Sequence, residues 1–182
     1  MRPRELPSRL AILAALLAAA GCMMGQTPHK VSWDLRHGHP KSAVQWASRS
    51  DAYEVANVDA TILLPGDRTF KGSDVTVRMF GQGDQVQVLG ILFPKTTLDD
   101  GYRQAKELSR VWHLNTSALD SWYQEVQDGR KRGVKDANVR YYAAMSGPAL
   151  SADGPTPSAN VLQSYNDEKP FLLDFELQWV PA

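Results

Sequence analysis

The chain has little of what catalysis, metal binding or membrane spanning usually requires. Its 182 residues include one cysteine, which excludes an internal disulfide and a zinc site built from several cysteines. Its longest apolar run covers only residues 10–20, whereas a bilayer-spanning helix needs about 20 such residues. The Gly-x-Ser-x-Gly pattern of a serine nucleophile is also missing. We therefore expect neither a transmembrane helix nor a serine hydrolase of that type.

An excess of positive charge is missing as well. The 20 Lys and Arg residues balance 20 Asp and Glu residues. Proteins that bind nucleic acid usually cluster Lys and Arg against the phosphates. We expect no nucleic-acid partner.

The N-terminus has the three parts of an export signal in order. Three arginines within residues 1–9 precede the apolar run, which ends on small residues. The final tetrapeptide, Ala19-Ala20-Gly21-Cys22, resembles the lipobox of bacterial lipoproteins. That resemblance implies cleavage between Gly21 and Cys22, a diacylglyceryl group on the Cys22 sulfur and usually a further acyl chain on its amine.

Lipidation at Cys22 would attach the mature chain to a membrane. Each buried CH₂ contributes about 0.8 kcal/mol, and more than one acyl chain is needed for stable anchoring. Cleavage also removes three arginines and one glutamate, so 20 basic and 20 acidic residues become 17 and 19. Because Met23 rather than Asp follows the cysteine, the sorting rule of enteric-type lipoproteins implies the outer membrane, with the domain in the periplasm. The alternatives are an ordinary signal cut near Ala20, which leaves Cys22 as a free thiol, or a core helix formed by the apolar segment.

The chain divides into three parts by composition. Residues 1–21 are the predicted signal peptide, and residues 22–50 the lipidated N-terminus with a tether rich in polar residues and helix breakers. Residues 51–182 have the length of a single domain with one core.

Periodicity in residues 51–182 predicts an α+β fold. Alternating apolar residues predict strands at about 53–64, 74–80, 85–93, 139–145 and 171–179. Stripes at helical spacing predict helices at about 98–112, capped by Thr97, and from about Asn115 to Gly129 or Gly133. The order β-β-β-α-α-β-β predicts a mostly antiparallel sheet of about five strands with an αα-hairpin on one face. The Pro/Gly/Ser-rich stretch 146–160 is read as a long loop.

Two sets of residues are candidates for chemistry. Asp174 and Glu176 share the outward face of the last strand, where a carboxylate pair could act as acid and base, although alternating polar residues are normally the solvated face of a strand. His29, His37 and His39 could bind a metal ion, although no fourth ligand can be named and surface histidines are the simpler interpretation. We predict no cofactor and no catalytic residue.

Two further sets are weak candidates for binding. Arg130, Lys131 and Arg132 follow the second helix and could touch anionic headgroups or an acidic partner, or simply complement the helix dipole. Trp33 and Trp46 lie outside the predicted core stripes and could stack on a glycan or a protein.

These features predict a non-enzymatic, membrane-anchored envelope lipoprotein whose domain binds a protein or peptidoglycan. An immunity lipoprotein against a secreted effector is an alternative within this class. A small envelope hydrolase using Asp174 and Glu176, or a histidine-bound metal, is the alternative from another class. A carrier of an apolar ligand is a third alternative, and it requires a cavity between helices and sheet.

Overall fold

A mixed α+β fold is built on one sheet. The computed structural model describes residues 29–47, 49–136, 143–163 and 168–179. In this part of the chain the strands are β1 His29–Asp34, β2 Ala52–Leu64, β3 Arg68–Phe80, β4 Val88–Leu92, β5 Ala143–Ser146, β6 Thr156–Gln163 and β7 Phe171–Gln178. The helices are α1 Leu98–Trp112 and α2 Ser117–Lys131, with a short 3₁₀ turn at Lys41–Val44.

The seven strands form one mostly antiparallel sheet in the order β1-β2-β3-β4-β7-β6-β5. Only the pairing of β1 with β2 is parallel. The turn Pro65-Gly66-Asp67 joins β2 to β3, and Gly66 and Asp67 both have positive φ, as a tight hairpin requires. The predicted break near Asn57 is confirmed as a shift of register between Val55 and Val58.

Both helices pack on one face of the sheet, as predicted. Helix α1 begins where the Thr97 hydroxyl accepts the backbone N–H of Asp100. The ring of Trp122, from α2, lies 5.6 Å from that of Phe171, from β7, and the Ser109 hydroxyl of α1 contacts the Met145 sulfur of β5. Alternate strand residues face these helices and are buried, so the core lies between the helices and this face of the sheet.

The prediction of a tether over residues 22–50 is wrong from His29 onward. From His29 the chain belongs to the fold, because β1 pairs with β2 and the following segment covers the core face of β1, β2 and β3. Leu35 and Val44 are fully buried there. The repeat in β1 is too short to be recognised locally, and its partner strand is remote in sequence.

The predicted number and order of strands are also wrong. Beside β1, the sheet contains β6, whose first half lies in the stretch interpreted as loop 146–160. The strand predicted at 139–145 appears as β5 from Ala143, and its first residues lie outside the described part of the chain. Strand β3 begins at Arg68, six residues before the predicted start. The prediction began too late because Lys71-Gly72-Ser73 has the composition of a turn, although this stretch lies in the strand beside β2.

The sheet splits between β3 and β4. Strand β3 pairs with β2 at both of its ends, with irregular register in between, but with β4 only from Thr76 to Phe80. Beyond Leu92 the chain follows β7 instead: the Phe93 amide donates to Leu173 and the Thr96 amide to Phe171. Pro94 has no N–H to offer to β3, and the bulge around Asp74, whose φ is +54°, bends β3 away.

Candidate functional site

The split of the sheet opens a cleft of about 370 Å³ between β3 and α1. We call it the β3–α1 cleft. Its lining residues come from three elements: Thr69, Phe70, Lys71, Phe93, Gln104, Glu107, Leu108, Val111 and Trp112. It meets the range of about 300–1,000 Å³ that ligand sites usually occupy.

Aromatic rings form the floor of the β3–α1 cleft. The ring of Phe70 lies edge-on to Phe93 at 6.1 Å and stacks on Phe175 at 5.8 Å, and Trp112 lies 5.0 Å from Phe175. Phe70 and Trp112 are almost fully buried, so this floor is fixed by the core. Val111, on the wall, is 38% exposed, which makes it one of the few large apolar side chains open to solvent.

On the rim of the β3–α1 cleft, the side chain of Lys71 and one edge of strand β3 remain open to a ligand. Among the described residues, the Lys71 side chain makes no ion pair or hydrogen bond, although its backbone pairs with Thr61 of β2. The neighbouring Glu107 is held by Arg110, with 2.6 Å between carboxylate and guanidinium, which lowers the pKa of Glu107. The Arg68 guanidinium donates to the Val111 carbonyl at 3.0 Å and so links β3 to α1.

No protein-family model matches this chain, and no significantly similar curated protein or solved structure was found. The chemistry of the cleft therefore rests on its own residues. Apolar walls, a cation and an open strand edge are features that ligand-binding sites commonly combine.

The sequence analysis missed this cleft, although one signal was present. Val111 is an apolar residue off the helical stripe of α1 that faces the core, and such a residue on a solvated face is worth noting. The rest depends on where β4 ends, which periodicity does not reveal.

Asp174 and Glu176 lie on the face of the sheet opposite the helices. Glu176 is directly opposite Gly90 of β4, and Asp174 is opposite Leu92. Partial burial, together with the charge of Glu176, raises the pKa of Asp174 from 3.8 to about 6, against the attraction of Arg78. Arg78 is itself paired with Glu54 at 2.8 Å. Neither carboxylate lines the β3–α1 cleft.

Trp33 and Trp46 lie in the core, so their predicted role as exposed stacking residues is wrong. Each is only 3% exposed. Trp46 stacks on Tyr53 with 5.9 Å between ring centroids, and the Lys41 ammonium lies 4.2 Å from its ring centroid. The periodicity could not place them, because Trp33 lies in a strand of only six residues and the segment 35–47 around Trp46 has no regular repeat.

The basic cluster lies in the last turn of α2 and at its C-cap, not after the helix as predicted, and it is largely engaged within the fold. The Arg130 guanidinium bridges Asp99 of α1, at 2.7 Å, and Asp136, at 2.5 Å. Lys131 pairs with Asp128 at 2.9 Å. Arg132 is exposed at the C-terminal end of α2, where a cation complements the helix dipole.

The structure does not bring the three N-terminal histidines together. Among the described residues, no group of three or more His, Cys, Asp or Glu side chains could hold a metal ion. His29 is exposed on β1, and His37 lies in the turn after it. The His39 ring stacks on Trp179 at 4.9 Å, and its Nδ1 lies 2.5 Å from the Val86 carbonyl oxygen, so this ring joins the N-terminal segment to the sheet.

Gly21 and Cys22 lie outside the described residues. Within the described part of the chain, no helix is both long and apolar enough to cross a membrane.

Proposed function

We propose that this chain is a lipid-anchored binding protein of the bacterial envelope. Cys22 carries the acyl chains, and the domain from His29 presents the β3–α1 cleft to a protein or another envelope component. The observation that carries the binding role is the apolar cleft beside an uncompensated cation, Lys71, on a rigid aromatic floor. Outer-membrane attachment with the domain in the periplasm is part of the proposal and follows from Met23 after Cys22.

The short connection between anchor and fold supports this arrangement. Only residues 23–28 separate Cys22 from β1. Six extended residues span at most about 20 Å. The proposal therefore keeps the domain within about 20 Å of the membrane surface, where its partner is an envelope component or a protein arriving there.

Metabolic labelling with an alkyne fatty acid tests the anchor. The wild-type chain should incorporate the label and sediment with membranes, whereas Cys22→Ala should do neither. Ser42→Ala, an exposed change in the fold, is the matched control and should behave as wild type. A labelled Cys22→Ala chain, or an unlabelled wild-type chain, would remove lipid attachment from the proposal.

A small envelope hydrolase is the second candidate, and the pKa of Asp174 favours it. A carboxyl group with a pKa of about 6 beside a second carboxylate is the arrangement used by general acids. The double variant Asp174→Asn/Glu176→Gln tests this function. If cells that carry the folded double variant behave as wild-type cells, the hydrolase is excluded. If they behave as cells that lack the protein although the variant folds, the hydrolase is favoured over the binding role.

A further inference from the structure

In the part of β3 that precedes its pairing with β4, one edge of the strand has backbone hydrogen-bonding groups without a partner strand in the described part of the chain. We call Arg68–Ser73 the edge segment. It pairs with β2 on one side, and within the described residues no strand pairs with its other side. In an antiparallel strand successive residues direct their backbone groups to opposite sides. About half of the N–H and C=O groups of the edge segment therefore point into the β3–α1 cleft.

This edge differs from the outer edges of the sheet. Within the described part of the chain, strands β1 and β5 close the sheet with six and four residues. Short outer strands are a common way of limiting unwanted strand addition. The edge segment lies inside the sheet order instead, and it faces an apolar wall formed by Leu108, Val111 and Phe93. A ligand there can meet main-chain groups and apolar side chains together.

An extended peptide satisfies both requirements. Strand addition supplies hydrogen bonds through the ligand main chain, while alternate side chains enter pockets. Apolar side chains of the ligand would enter the β3–α1 cleft. A fatty acid could fill the cleft and pair with Lys71, but it would leave the backbone groups of the edge segment without partners.

Charge defines the ligand further. Lys71 stands in the middle of the edge segment without an ion pair among the described residues, and Arg68 adds a second cation at its end. Three carboxylates line pockets that Lys71 also lines: Glu107 and Asp100 are paired with Arg110 and Arg103, and Asp59 accepts hydrogen bonds from the Ser73 hydroxyl and the Asp74 amide. The rim therefore complements an acidic side chain.

We propose that the edge segment of β3 binds an extended peptide strand with alternating apolar side chains and an acidic residue opposite Lys71. This inference rests on the binding role proposed above and names its ligand class. It does not depend on lipid attachment at Cys22.

Backbone amide exchange on the full chain with Cys22→Ser tests the proposal. The probes are synthetic octapeptides of alternating valine and threonine, each with a single glutamate, moved through all eight positions. At saturation, at least one should slow exchange in the edge segment about tenfold or more while leaving the interior amides of β7 unchanged. If no octapeptide in the set protects the edge segment, the proposal is overturned.

Two controls separate strand addition from adsorption. Two versions of the active octapeptide are N-methylated, one at its odd and one at its even positions. Only one version should lose the ability to protect the edge segment, because only alternate amides of the peptide face β3. Lys71→Glu should weaken binding about tenfold, and replacing the glutamate of the peptide by lysine should restore it. Thr69→Ala, which changes the same face of the edge segment without a charge, should not show this reversal.

The remaining outcomes are decisive as well. Protection that is equal for both N-methylated peptides would overturn strand addition. Protection by laurate but by none of the octapeptides would replace the peptide with a fatty acid, and the cleft would then belong to a lipid carrier. An unlabelled Cys22 in the labelling experiment would overturn the anchor alone and leave this inference standing.

Discussion

The two halves of β3 both pair with β2 but have different surroundings. From Thr76 to Phe80 the strand lies between β2 and β4, and its inward side chains Val77 and Met79 are fully buried. From Arg68 to Ser73 it has one neighbouring strand and faces the β3–α1 cleft. One strand thus serves as core in its closed half and as a binding edge in its open half, because β4 leaves it at Pro94.

A change in the segment that packs over the closed half of β3, Thr76–Phe80, should have the largest effect on stability. Trp46 packs on Tyr53, which lies opposite Met79 of β3. Trp46→Ala should lower the free energy of unfolding by about 3–5 kcal/mol because it empties a buried site. Urea denaturation measures it. Val111→Ala, on the exposed wall of the cleft, is the control and should cost less than about 1 kcal/mol. A small loss for Trp46→Ala would mean that residues 35–47 are only loosely attached.

The next prediction compares the loss of stability when a large aliphatic side chain is truncated on each side of the split. Ile91, in β4 beside the closed half, is fully buried, while Leu108 on the cleft wall is partly buried. Ile91→Ala should cost about 2–5 kcal/mol, and Leu108→Ala about 1 kcal/mol, in the same denaturation experiment. Equal losses would show that the cleft is as tightly packed as the core.

Gly101 tests whether the wall of the cleft is fixed. It lies in α1 so close to the Phe171 ring that an added Cβ would collide with it. Gly101→Ala should therefore cost about 1–3 kcal/mol in spite of the better helix propensity of alanine. Gly129→Ala in α2 is the control: its Cβ would sit 3.6 Å from Val134, and it should gain about 0.5–1 kcal/mol. A neutral Gly101→Ala would mean that α1 can shift away from β7.

Asp174, on the opposite face of the sheet, should give the smallest and a pH-dependent effect. With a pKa raised from 3.8 to about 6, the folded chain binds more protons than the unfolded chain between these values. Its contribution to stability therefore falls as pH rises from about 4 to 6 and stays low above that. Two pKa units set an upper limit of roughly 3 kcal/mol, and partial exposure reduces it.

Asp174→Asn should accordingly stabilise the chain at pH 7 by roughly 1–2 kcal/mol and change little at pH 3.5. Thermal denaturation at the two pH values measures the difference. Glu176→Gln should stabilise less at pH 7, because it removes only the charge that acts on Asp174. An Asp174→Asn chain that is less stable at pH 7 would reverse the sign and contradict the raised pKa.

Local patterns were sufficient for the helices and the last strand. The stripe Leu98, Ala105 and Trp112 and the Thr97 cap predict α1 at its observed bounds, because helix contacts are close in sequence. The alternation from Phe171 to Leu177 likewise predicts β7 and its buried face.

Remote pairing explains what could not be predicted. Strand β1 is held by β2, more than twenty residues further along the chain, and its six residues carry no clear alternation. Pro157 argues against a central strand, yet it lies in β6 beyond the last β5 pair, Ser146 with Ser158, where its missing N–H is tolerated. The cleft depends on the same kind of information, namely where one strand stops pairing with another.

Amide exchange along β3 in the free chain tests the open edge most directly. We expect continuous protection at the interior amides from Val77 to Met79, and alternating protection across Arg68–Ser73, where only the amides that face β2 are bonded. Continuous protection through Arg68–Ser73 in the free chain would contradict the account, because it would mean that the edge already has a partner.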